Sequence, residues 1–162
     1  MIEKSLSIMA NKEFISVMSF LTGGMHVLNP EQEFSYLTPN ISNKELGSLV
    51  RKSLKDSWQI MAEEFIDIFN NKTAENVFKK QEEFLKNKYG YKNKRALYKE
   101  MRFVSLFVKD NQIIISPNKK KGMNDYTALI DKEGNEIRFT YPITIEDEKL
   151  GLAVNKALEL CK

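Results

Sequence analysis

The stretch MRFVSLFVKDNQIIISP, from Met101 to Pro117, decides the fold. Phe103, Ser105, Phe107 and Lys109 alternate with Val104, Leu106 and Val108, so two distinct faces are written at a period of two residues. That period belongs to a β-strand, whose successive side chains point to opposite sides. Asp110-Asn111 then reads as a tight turn, and the β-branched run Ile113-Ile114-Ile115 as the returning strand, ending at Ser116-Pro117. Tyr126 to Ile130 and Glu136 to Tyr141, separated by the turn residues Asp131-Lys132-Glu133-Gly134, extend the pattern to an antiparallel meander.

Upstream the period is helical. Ser42-Asn43-Lys44-Glu45 has capping-box spacing, a hydroxyl at the N-cap and a carboxylate three residues on. Leu46, Leu49, Val50 and Leu54 follow at helical intervals, and the pattern continues through Trp58, Met61, Phe65 and Phe69 to Asn70-Asn71. This predicts one long helix. Thr73 is positioned to cap a second, with Val77, Phe78, Phe84 and Leu85 as its apolar stripe and Tyr89-Gly90 as its end. A short basic segment, Lys92 to Arg95, leads into Ala96-Leu97-Tyr98. Nearer the N-terminus, Phe14 to Phe20 and Glu33 to Leu37 read as strands, with a turn at Thr22-Gly23-Gly24. A last helix is expected from about Asp147 to Leu160. The expected fold class is α+β: one domain over residues 1–162, a central antiparallel sheet packed with helices.

One motif occurs twice. ISNKELGSLVRKSL (Ile41–Leu54) and IEDEKLGLAVNKAL (Ile145–Leu158) align without gaps, sharing Ile, Leu-Gly, Val, Lys and Leu. Each follows an extended segment containing a proline, Pro39 or Pro142. Glycine inside a helix costs roughly 0.5–1 kcal/mol against alanine. Its recurrence at Gly47 and Gly151 therefore predicts close backbone packing, helix against sheet, in two similar strand–helix units. A phosphate site is not expected there: Glu146, Asp147 and Glu148 would repel an anion, and no glycine-rich loop precedes them.

Composition narrows the function classes. The 162 residues are 42% hydrophobic and 29% charged, enough apolar mass for a core and too little charge imbalance for disorder. Twenty-five basic against 22 acidic residues leave a net charge of +3, which implies no particular partner. A single cysteine, Cys161, excludes an internal disulfide framework. No signal-peptide pattern opens the chain and no stretch approaches the roughly 20 apolar residues of a membrane span, so a cytoplasmic protein is expected.

Three segments resemble the contact-dependent growth inhibition immunity proteins, the family that protects against RNase toxin domains. They are SNKELGSLVRKSL (Ser42–Leu54), YGYKNKRALYKEM (Tyr89–Met101) and DEKLGLAVNKALELCK (Asp147–Lys162). The resemblance implies a non-enzymatic antitoxin that binds a cognate CdiA-type toxin domain. It carries over no catalytic residue, cofactor or metal.

The residues themselves agree on chemistry. The only histidine, His26, has no cysteine or second histidine beside it in the sequence, so a structural role is expected. No Gly-x-Ser-x-Gly elbow, phosphate loop or His-Glu-x-x-His pair is present. Metal sites want clustered His and Cys, and the chain has one of each. Cys161 is expected to be a packing residue. Residues 79–102 concentrate lysine and arginine with Tyr89, Tyr91 and Tyr98 interleaved, a composition suited to nucleic acid. Four glutamates, from Glu75 to Glu100, dilute it, and a solvated helix face is the simpler reading. Lys119 to Lys121 are expected in an exposed loop. Glu63, Glu64 and Asp67 form a negative patch opposite Phe65 and Phe69; a solvated helix face is the simpler reading, and a contact for a basic nuclease toxin is the functional one. The chain is expected to act as a preformed monomer.

Overall fold

The computed structural model describes residues 1–162. Eight strands form the sheet: β1 Lys4–Ala10, β2 Ile15–Thr22, β3 His26–Leu28, β4 Tyr36–Leu37, β5 Arg102–Lys109, β6 Gln112–Gly122, β7 Asp125–Ala128 and β8 Phe139–Pro142. The main path runs β3-β2-β1-β5-β6-β7, with β4 also on β2 and β8 also on β6. Every pair of these strands is antiparallel. Five helices complete the chain: α1 Asn43–Ser53, α2 Ala62–Asn70, α3 Thr73–Tyr89, α4 Lys94–Tyr98 and α5 Asp147–Leu160. The α+β class read from the sequence is the class observed.

Alternation along β5 sorts the two faces as the sequence implies. Val104, Leu106 and Val108 join Leu6, Ile8, Val17, Ile113 and Ile115 beneath α1 and α5, in a core completed by Leu46, Val50, Leu150 and Val154. Each such side chain, fully buried, stabilises the fold by about 1.5–3 kcal/mol. The opposite face turns Met9, Phe14, Met18 and Phe103 toward α3 and α4, where Leu85, Leu97 and Tyr98 form a second cluster.

Five expectations need correction. The strand β1 has no counterpart in the sequence reading, although it is central; its mixed run Lys4-Ser-Leu-Ser-Ile-Met-Ala pairs with both β2 and β5. The long helix expected from Ser42 to Phe69 breaks after Ser53. A 3-10 turn at Leu54–Asp56 and an extended segment follow before α2 begins. Tertiary hydrogen bonds win over the helical period there. Ser5 N donates to Ser57 Oγ at 2.8 Å, Thr22 N to Trp58 O at 2.9 Å, and Ile60 N to Thr22 O at 2.7 Å. Thr73 is the first helical residue rather than the cap of α3; Lys72, at φ 54°, precedes it.

The strand β6 does not stop at Ser116-Pro117 but runs to Gly122, so Lys119–Lys121 are strand residues rather than loop. Pro117 is tolerated because its carbonyl accepts from Leu129 N at 3.0 Å and its nitrogen faces the same edge. The reciprocal bond that proline cannot donate is replaced, because the Leu129 carbonyl accepts from Ile137 N at 2.9 Å. Finally, the repeated glycines mark helix against helix. A β-carbon on Gly47 would fall 1.7 Å from the Asp147 carbonyl oxygen, and one on Gly151 would fall 1.7 Å from that of Asn43.

Candidate functional site

Register builds a groove on the sheet face opposite α1 and α5. Ser7 lies beside Ser105, and Ser105 beside Ser116, so three serines cross the central strands in one row. Phe103 and Phe107 flank the row on β5, since residues two apart share a face. His26 stands on one side; Tyr126, Glu136 and Arg138 stand on the other; Phe78 of α3 closes one end. The cavity they enclose measures about 550 Å³.

The polar groups are unequally satisfied. Asn118 Nδ2 donates to Ser105 Oγ at 2.9 Å. Arg138 Nε donates to Glu136 Oε2 at 2.7 Å. His26 Nδ1 is 3.1 Å from Ser5 Oγ, its ring sits edge-on to Phe107, and desolvation lowers its pKa. The Ser5–His26 bond ties β1 to β3, and the ring's other nitrogen has no carboxylate hydrogen-bonded to it. The arrangement thus lacks the third, orienting group of a catalytic triad. Tyr126 is the exception in the set. Its ring lies 3.7 Å from that of Phe103, its hydroxyl is buried without a hydrogen-bond partner, and burial pushes its pKa well above the phenol range. A buried hydroxyl without an acceptor is a cost carried by the fold. Reading the site from sequence required β1; without it Ser5 and Ser7 had no face to share with Ser105.

Glu63, Glu64 and Asp67 lie on α2, a short helix of its own that buries none of its residues. All three carboxylates are exposed. The helix also exposes apolar surface: Met61 is 73% exposed, Ile66 52% and Phe69 69%, while Phe65 stacks on Phe69. Ile68 alone of this helix packs against the second cluster, so the rest of its apolar surface is left to solvent.

The basic segment 79–102 is arranged differently from a stacking platform. Tyr98 is buried, its hydroxyl donating to Glu82 Oε2 at 2.5 Å, and Tyr89 stacks on Phe14. Tyr91 accepts from Asn11 Nδ2 at 2.8 Å. All three rings serve the second cluster, so the nucleic-acid reading loses its aromatic component. Cys161 is a half-buried packing residue, its thiol donating to the Phe103 carbonyl and raised in pKa by burial. No group of three or more His, Cys, Asp or Glu side chains is placed to hold a metal, and no helix is long and apolar enough to cross a membrane.

The family model described as CDI immunity protein matches residues 4–161, nearly the whole chain. The chain belongs to the CDI immunity protein family. Among curated relatives, this immunity protein is 23% identical over 168 residues to "Immunity protein CdiI-YPIII" of Yersinia pseudotuberculosis serotype O:3 (strain YPIII), covering 96% of this chain and 94% of that one. Its fold is shared with a Neisseria meningitidis protein of unknown function, NMB0488, at TM-score 0.87 and 21% identity over 99% of this chain and 96% of that one. It is shared also with a chain of the CdiA-CT/CdiI toxin and immunity complex from Yersinia pseudotuberculosis, at TM-score 0.85 and 21% identity, covering 99% and 98%.

Proposed function

We propose that this immunity protein neutralises a cognate CdiA C-terminal toxin by binding it and covering its active site or substrate groove. The observation that carries the reading is the family match over residues 4–161. The toxin is a nuclease, an RNase, in this reading. The immunity protein works in the cytoplasm as a monomeric, single-domain inhibitor without catalysis of its own. Protection requires capture at low concentration, hence a nanomolar complex, on the order of −12 kcal/mol.

Two surfaces supply the contact. The groove offers apolar walls, Phe103 and Phe107, and the row of serine hydroxyls at Ser7, Ser105 and Ser116. Helix α2 offers exposed Ile66 and Phe69 as anchors and Glu63, Glu64 and Asp67 as charge. Carboxylates speed encounter with a basic nuclease surface, and buried anchors set the lifetime of the complex.

The test is co-expression with the toxin domain encoded beside it, followed by binding of the purified pair. Growth rescue and a nanomolar complex are expected. The triple reversal Glu63→Lys, Glu64→Lys, Asp67→Lys should slow association and reduce protection with circular dichroism unchanged. Unchanged association and protection would remove α2 from the interface and leave the groove as the remaining candidate.

A further inference from the structure

We infer that this chain is a fused pseudo-dimer: residues 4–54 and 102–160 are two copies of one β-hairpin–strand–strand–helix unit, and residues 55–101 are an insertion between them. The pairing registers carry the argument. A shift of 98 residues takes Ser7 to Ser105 and the first hairpin onto the second: Ile8 opposite Val17 becomes Leu106 opposite Ile115, and Ala10 opposite Ile15 becomes Val108 opposite Ile113. A shift of 100 takes β3 onto β7, His26 onto Tyr126, with Thr22 opposite His26 becoming Lys120 opposite Tyr126. A shift of 104 takes β4 onto β8 and α1 onto α5, Gly47 onto Gly151, with Ile15 opposite Leu37 becoming Ile113 opposite Tyr141.

The mates also meet across one axis. Ser7 and Ser105 are direct neighbours in the β1–β5 ladder, as residues on a two-fold axis must be. On the helical layer Gly47 rests on Asp147 and Gly151 on Asn43, which is the same contact made from each side. Arg51 Nε donates to Asp147 Oδ1 at 2.8 Å, and the corresponding Asn155 Nδ2 donates to Asn43 Oδ1 at 2.7 Å. The core repeats as well: Leu6, Ile8, Ala10, Ile15, Val17, Leu46, Val50 and Leu54 each have their mate within the same buried cluster, which contains nothing from the insertion.

Both units contribute to the groove. Met9, Met18, Val27 and Leu28 of the first unit pack in the cluster built with α3. Their mates Phe107, Ser116, Thr127 and Ala128 line the groove. The groove straddles the axis: Ser5, Ser7, Met18, Phe20 and His26 of the first unit line it too, and Phe78 of the insertion borders it.

The full-length chain tests this by rewiring one copy as the other. Arg51 also donates to the carbonyls of Ile143 and Ile145. The equivalents of those two residues are Pro39 and Ile41. In the double variant Asn43→Asp, Asn155→Arg, the new guanidinium should bond the carboxylate introduced at position 43 and the Pro39 and Ile41 carbonyls, visible in a crystal structure. The double variant should be more stable than the two singles predict, by about fivefold or more in the unfolding constant. The reciprocal cycle, Arg51→Asn with Asp147→Asn, should show favourable coupling as the paired amides replace the ion pair. It decides the matter if the first double variant does not fold. Additive effects, with the new arginine turned to solvent, would overturn the two-fold equivalence.

Discussion

Gly47 lies against the backbone of Asp147 so closely that a β-carbon on it would sit 1.7 Å from the Asp147 carbonyl oxygen. The obstacle is backbone, held in place by α5, and it cannot rotate away. Alanine elsewhere in a helix gains about 0.5–1 kcal/mol over glycine. Here overpacking outweighs that gain. Gly47→Ala and Gly151→Ala should each destabilise by about 2–3 kcal/mol, equal within error because the contact is reciprocal. Urea denaturation measures both, and a stabilised alanine variant would contradict the observed crossing.

Tyr98 and Glu82 form the buried polar contact of the second cluster. The Tyr98 hydroxyl donates to Glu82 Oε2 at 2.5 Å, and Lys94 Nζ lies 3.2 Å from the other carboxylate oxygen. Tyr98→Phe leaves a buried carboxylate oxygen without its donor. A loss of about 1–3 kcal/mol is expected. Pairing Tyr98→Phe with Glu82→Gln should recover part of it, since the carboxylate oxygen left without a donor goes too.

The opposite sign is expected at Tyr126. Its hydroxyl has no acceptor in the free protein, so Tyr126→Phe should leave the Tm unchanged or raise it slightly. Because the hydroxyl is buried in the free protein, the same variant should leave the affinity for the toxin unchanged. Calorimetry of the free and bound protein checks both outcomes.

His26 gives a pH dependence. Desolvation lowers its folded-state pKa below the unfolded value of 6.5. The unfolded chain therefore binds the proton first, and the neutral ring's contribution is complete above about pH 6.5. Stability should fall as pH drops through 6.5 toward the folded-state pKa. His26→Gln should flatten that part of the profile in denaturation series between about pH 5 and 8.

The sequence by itself determined the elements whose cause is local. The alternation from Phe103 to Val108, the Ser42 cap and the αL Gly90 after Tyr89 each express the chain's own geometry, and each stands where the local pattern puts it. The repeated Leu-Gly motif also announced a tight contact, because only a packing constraint explains glycine at one helical position twice. Tertiary structure decided what depends on partners distant in the chain. The helical period ran past Ser53, yet Ser5 and Thr22 offered backbone bonds that only a folded sheet can present, and the helix broke there. Lys4 to Ala10 alternates only over Ser5-Leu6-Ser7-Ile8, and its place as a central strand was decided by β2 and β5 pairing with it on both sides. The serine row and the exposed face of α2 follow from those pairings: hydrogen-bond register, not composition, sets which distant side chains share a surface.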